Sequence, residues 1–219
     1  MVKRQSATAP RIDPLVLRNL AVGEAADLQP GADLDGLRFE RVELPHSLAG
    51  VTLLECELTE VTEDRLELRG ARLLESRLGR CSAPSVSAHG STWRDAEVLE
   101  SRIGALELSD SELRRVVVEG SKLGWVNLRG ANLQDVLFRN CTFDEIDFGG
   151  ATTARVAFEG CVAEKLTLTQ SKSSHLDLRG LEFHEIEGLE GLRGARLSLE
   201  QVALLAETFA AHFGATIDG

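Results

Sequence analysis

The chain has 219 residues, 43% of them hydrophobic, with two Trp, no Tyr, four Cys and a formal net charge of −11 at pH 7. That charge argues against direct binding to nucleic acid or to an anionic membrane surface, and no apolar run approaches the ~20 residues of a membrane span. The balance points to a cytoplasmic protein with a core of Leu, Val and Ala.

Residues 1–10 are polar, short of large apolar groups, and predicted to be a disordered tail. Residues 11–50 carry Ile12, Leu15, Leu17, Leu20 and Val22 among prolines at 10, 14 and 30. They are expected to form an irregular cap over the first coil of a repeat structure, because an open repeat end exposes core and unpaired strand edges. A five-residue period already appears at Leu34, Phe39 and Leu44, one residue out of frame with the later chain. The slip falls near Pro45, and a loop or bulge over residues 45–50 should absorb it.

Residues 51–190 hold the organising pattern. With the central position i placed at Leu53, every fifth residue to Phe183 gives 27 units, in which only Glu63, Thr153 and Ser173 are polar at i. Position i−2 is also apolar or small, and neither a 3.6- nor a 2-residue period fits, so the pattern is an internal repeat. Two inward positions per five residues mean a chain that turns a corner every unit and closes a coil in twenty residues. Gly70, Gly90, Gly130 and Gly150 share one corner column, and Gly120, Gly160 and Gly180 another. Corners of type II would need positive φ at these positions. Glu63 should sit at a bulge or reach solvent or Arg65, Thr153 and Ser173 should stack within hydrogen-bonding reach, and Ala83 beside Ala88 should leave a cavity unless Trp93 fills it. Cys56, Cys81, Cys141 and Cys161 all fall on inward i−2 positions and read as small buried thiols, reduced rather than bridged.

After residue 190 the period dissolves. Ser198 with Gln201 three residues later is a capping box, and Gly214 suits the residue after a helix end. The apolar residues between them exceed what one face needs. One side of this helix should close the last coil; the other, including Leu205, Phe209 and Phe213, should meet a second subunit, unless residues 215–219 fold back over it.

The units "GANLQ", "CTFDE", "LDLRG" and "ARLLE" resemble those of the pentapeptide repeat family. The resemblance implies a mainly β fold, a right-handed quadrilateral parallel β-helix over residues 51–190 with a C-terminal α-helix cap over residues 191–219. The stretch "GLRGARLSLEQVALLAETFAAHFGATIDG" is similar to the helical cap of actinobacterial members, a group that includes the mycobacterial fluoroquinolone-resistance protein. Some members of the family are dimeric rods that mimic duplex DNA, bind DNA gyrase and protect it from quinolones, so the resemblance implies a homodimer with gyrase as its partner.

The residues themselves offer no catalytic, cofactor or metal constellation. The five histidines fall on different sides and levels of the coil, no nucleophile stands out, and phosphate-loop and metalloprotease motifs are absent. The reading is a non-enzyme whose function is carried by its surface. Summed over four faces, the most acidic side holds Glu67, Glu107, Asp110, Asp147, Glu187 and Glu190 against Arg69 and Arg129. Interleaved arginines and one nearly neutral face weaken the likeness to a phosphate ladder. The competing reading is a general protein-binding scaffold, with Trp125 projecting outward beside Lys122 as its apolar contact.

Overall fold

The computed structural model describes residues 8–216. The expected disordered tail therefore lies, as far as residue 7, outside the described residues, as do residues 217–219 of the segment proposed to fold back. Among the described residues no helix is long and apolar enough to cross a membrane.

The chain is a mainly β parallel solenoid of about nine turns, and its register is the twenty-residue spacing of the sequence pattern. Thr92 pairs with Glu112, Glu112 with Asn132, Asn132 with Thr152 and Thr152 with Lys172. On a second sheet, Arg102 pairs with Lys122 and Lys122 with Thr142. Positions i and i−2 point into one continuous core, from Leu28 at one end to Leu181 at the other. Apolar stacking and ladders of main-chain hydrogen bonds running coil to coil hold it together. The best-packed stretch is aromatic: Phe138 and Phe158 stack at 5.0 Å, and Phe143 and Phe148 meet Phe158 edge-on.

The corners explain why the outline is four-sided. In every coil up to Gly160 three corners carry a residue with positive φ, on the columns that contain Gly130, Asp135 and Asn140. Gly70, Gly90, Gly120, Gly130, Gly150 and Gly160 adopt it as expected. Gly180 does not: its φ is ordinary, and glycine is required because a Cβ would lie 2.2 Å from the Phe158 carbonyl oxygen. The column that runs from Leu48 to Leu168 closes each corner with its own hydrogen bond, as from Ala131 N–H to Leu128 O at 3.1 Å, and the Gly180 corner closes in the same way from Leu181 N–H to Leu178 O at 2.9 Å. Among the described residues, fifteen other than glycine also take positive φ, which for most side chains is costly. They are held there by the ladder, since Glu75 N–H still donates to Arg94 O at 2.9 Å in the next coil. The fourth corner, at Ala105, Trp125 and Glu145, is extended, so strands such as Lys122–Asn127 run straight through it.

The frame slip is real. Leu34 pairs with Leu53 and Phe39 with Leu58, nineteen residues apart, before the spacing becomes twenty at Leu53 and Leu73. Glu63 stands in this shortened coil, and its Oε1 accepts the Leu44 backbone N–H at 2.7 Å. The inward-register acid thus satisfies an amide near the slip instead of reaching Arg65 or a bulge. The expected cavity is present but small, about 20 Å³, lined by Ala83, Glu63 and Trp93. Thr153 and Ser173 are register partners, yet neither hydroxyl finds a hydrogen bond; the two share a rung without facing each other's oxygen.

At the C-terminus the expected single helix is two short ones, α1 (Leu199–Leu204) and α2 (Ala206–His212), with Leu205 breaking the run at φ −88° and ψ 1°. The Ser198/Gln201 capping box is formed, and Gly214 follows with φ +69°. Gln201 does a second job: its Nε2 donates to the Leu178 and Leu181 carbonyls at 2.7 and 2.8 Å, covering acceptors of the last coil.

The N-terminal segment departs from expectation. Residues 21–50 cap the first coil through the Ala21–Val22 strand and buried Leu28, Leu44 and Leu48. Residues 8–18 instead run along the flank of the solenoid. Arg196 Nη1 donates to Thr8 Oγ1 at 3.0 Å, Arg11 N–H to Asp135 Oδ1 at 2.9 Å, and Arg77 Nη2 to Leu15 O at 3.3 Å.

Candidate interaction surfaces

Four of the six acids of the most acidic side, Glu67, Glu107, Asp147 and Glu187, share one ladder. Glu67, Ser87, Glu107, Asn127, Asp147, Thr167 and Glu187 succeed each other rung by rung. Each stands two residues before the backbone N–H of a corner, and several turn onto it. Glu67 accepts from Arg69 N–H at 3.2 Å, Glu107 from Ser109 N–H at 2.9 Å, Asn127 from Arg129 N–H at 3.0 Å, and Asp147 from Gly149 N–H at 2.7 Å. A short polar side chain that binds the backbone two residues on is a turn cap.

This use of the acids changes what the surface displays. Asp147 is 1% exposed and pairs with Arg129 Nε at 2.6 Å. Glu107 also accepts from Asn127 Nδ2 at 2.9 Å. Burial alone would raise its pKa, yet hydrogen bonds from Ser109 and Asn127 hold it below the ordinary carboxylate value. Asp110, with 69% of its side chain exposed, and Glu187, with 59%, face solvent, although Glu187 pairs with Lys165 at 3.0 Å. Glu190 is exposed and accepts the Gln170 N–H at 3.2 Å.

The interleaved arginines form ion-pair ladders across the coils. Arg38, Glu57, Arg77 and Glu97 alternate along one, and Glu119, Arg139 and Glu159 along another. A third occupies the positive-φ corner, where Arg115 forks onto Asp95 and Arg155 onto Asp135 at 2.6 and 2.7 Å. For Asp135, burial pushes the pKa up, but Arg155 and the Arg11 N–H together bring it below the usual value. Summing charges per face hid this arrangement, because paired opposite charges cancel. The signal was the sign alternation of Asp95, Arg115, Asp135 and Arg155 at twenty-residue spacing.

Trp125 is 37% exposed on the extended corner, between Ala105 and Glu145 in register. Of the residues expected at a subunit contact, Phe213 is 79% exposed and Phe209 half-buried, whereas Leu205 is buried. The open apolar surface of the C-terminal helices is formed by Leu199, Val202, Leu204 and Phe213. The four cysteines are free thiols, three of them buried. Cys141 is pushed to a high pKa by its contact with the Cys161 thiol and by burial. Among the described residues no group of three or more His, Cys, Asp or Glu could hold a metal ion.

Comparison with known proteins places part of this chain. Residues 102–168 match a family model described as a pentapeptide repeat region. No curated protein matches the sequence. Among solved structures, the chain is similar to a trypsin-treated form of QnrB1, a plasmid-mediated fluoroquinolone resistance protein, at 16% identity and a TM-score of 0.27, covering 86% of this chain and 91% of that one. It is also similar to HetL, a pentapeptide repeat protein involved in heterocyst differentiation regulation from the cyanobacterium Nostoc, at 19% identity and a TM-score of 0.27, covering 76% and 81%. Identity this low and superposition this loose transfer neither partner nor activity. The stretch that matches the pentapeptide repeat model, residues 102–168, lies inside a twenty-residue register that continues on both sides of it, from Leu53 to Phe183.

Proposed function

We propose that the protein is a non-catalytic, protein-binding rod that works in the cytoplasm. The observation behind this is the position of its reactive groups. The cysteine thiols stack inward and the histidines are scattered, so chemistry-bearing side chains do not converge, while charged ladders and a few apolar side chains fill the outside. Free thiols suit a reducing compartment.

The more specific reading is a homodimer that occupies the DNA site of gyrase. It is supported by the net charge of −11 and by the exposure of Asp110, Glu187 and Glu190. Dimerisation would rest on Leu199, Leu204 and Phe213 rather than Leu205. Against it stand Glu67, Glu107 and Asp147, which are turned onto corners, and the arginines that neutralise neighbouring acids. The test is gyrase supercoiling with and without a fluoroquinolone, titrating purified protein at two salt concentrations. Inhibition without drug or protection with it, fading at high salt and on reversal of Asp110 and Glu187 to Lys, supports mimicry. No effect at micromolar protein removes gyrase. A scaffold that binds through the half-exposed Trp125 predicts instead salt-tolerant capture of a partner, lost on Trp125→Ala.

A further inference from the structure

The flank under residues 8–18 is built like a site. Ile12, Leu15 and Leu17 are half-buried against it, while Arg11, Asp13 and Val16 stay exposed. Leu74 stands at an outward repeat position yet is only 8% exposed, and it lies outside the continuous core. The polar contacts recognise main chain: Asp135 takes a backbone N–H and Arg77 gives to a backbone carbonyl four residues further on. Asp13 lies within electrostatic range of the Arg115 guanidinium.

The fit is also loose. Among the described residues, no backbone-to-backbone hydrogen bond ties residues 9–20 to the coil, the first being Ala21 N–H to Gly36 O. A groove of about 710 Å³ remains between segment and flank, walled by Pro14 and Val16 on one side and Glu97, Arg114 and Val117 on the other. A segment held by a few side-chain anchors belongs to the low-stability end of a structure.

We propose that this flank is a docking groove for an extended segment of a partner protein, and that residues 11–17 occupy it as a built-in competitor. The segment it fits has apolar residues at its first, fourth and sixth positions, as Ile12, Leu15 and Leu17 do, and an acid at the second to meet Arg115. Main-chain contacts to Asp135 and Arg77 supply affinity without regard to sequence, and the apolar spacing with the acid supplies selectivity. The proposal rests on the protein-binding reading in kind but concerns a different face from the gyrase test, and a peptide titration reads the groove directly, so either can fail alone.

The probe is a labelled peptide of residues 11–17, titrated by fluorescence anisotropy against the full chain and against the full chain carrying Ile12→Asp and Leu15→Asp. These substitutions loosen the tethered segment and leave the groove intact. Because an occupied groove weakens apparent affinity by the fraction that is free, the peptide should bind the variant at least about ten-fold more tightly than the wild type. A peptide with the same two substitutions should not bind. Equal binding to both chains, or binding to neither, overturns the proposal. Hydrogen exchange on the unaltered protein keeps it testable if the variant fails to fold: the Arg11 amide, which donates to Asp135, should exchange about 100-fold or more faster than the ladder amides of residues 116–118, as local opening requires. Exchange at the same rate as the coil means the segment leaves only on global unfolding and also overturns the proposal.

Discussion

Replacing Asp147 distinguishes an acid that displays charge from one that holds a corner. Its Oδ1 accepts the Gly149 N–H at 2.7 Å, its Oδ2 accepts from Arg129 Nε at 2.6 Å, and 2% of its side chain is exposed. A hydrogen bond to a charged group contributes about 1.5–3 kcal/mol. The Arg129 pair counts for less, because that guanidinium is 64% exposed and such pairs give about 0–1 kcal/mol. Relief of the buried charge offsets part of the loss, so Asp147→Ala should cost about 2 kcal/mol, or about 4–8 °C in melting temperature for a chain of this size. Asp147→Asn keeps the acceptor, and Asn127 one coil earlier already caps Arg129 N–H at 3.0 Å. It should cost no more than about 1 kcal/mol, the value of a surface ion pair. Urea unfolding followed by circular dichroism measures both. If Asp147→Ala were as stable as the parent, or Asp147→Asn as damaging as Asp147→Ala, the corner-cap account would be wrong.

Phe158→Ala removes the ring that meets Phe138, Phe143 and Phe148 and should destabilise by about 3–5 kcal/mol, read by the same unfolding experiment; a loss under about 1 kcal/mol would mean the coils close over the gap. Glu63→Leu restores the apolar repeat, yet it should destabilise by about 1–3 kcal/mol because the Leu44 N–H loses its acceptor; a gain in stability would show that this amide finds another partner. Asp135 and Glu107 have folded pKa values below their unfolded ones. Their contribution is therefore complete above the unfolded carboxylate values of about 4 and is lost as pH falls through the lower folded values. Stability measured from pH 7 downward should hold to about pH 5 from these groups and then decline; a decline centred near pH 6 would implicate histidine instead.

The coil was legible because its rule is local: inward positions every five residues fix the corners, and the stacking distance is the same for every rung. The frame slip near Pro45 and the capping box at Ser198 could be read for the same reason. Glu63 was harder, since its partner Leu44 is set by where nineteen-residue register replaces twenty, which only the three-dimensional stack defines. Asp147 was misjudged as a displayed acid because outward register does not say whether a short side chain bends back onto the next N–H. Leu205 was assigned to the outer helix face by an uninterrupted helical period, and the break at that residue turned it inward. The path of residues 8–18 had no repeat to mark it, and its contacts lie 62 to 188 residues away.

Those separations bear on how the molecule is made. In a repeat stack each coil touches only its neighbours, so coils can form in the order of synthesis, each on the one before it. The flank segment breaks that order, since Thr8 is joined to Arg196 across 188 residues. At about 5–20 residues per second, Thr8 waits roughly 10–40 s before Arg196 exists to meet it. The segment leaves the ribosome ahead of every coil it touches, so a nascent chain passes through a stage in which its early coils are formed and the flank beyond them has yet to be built.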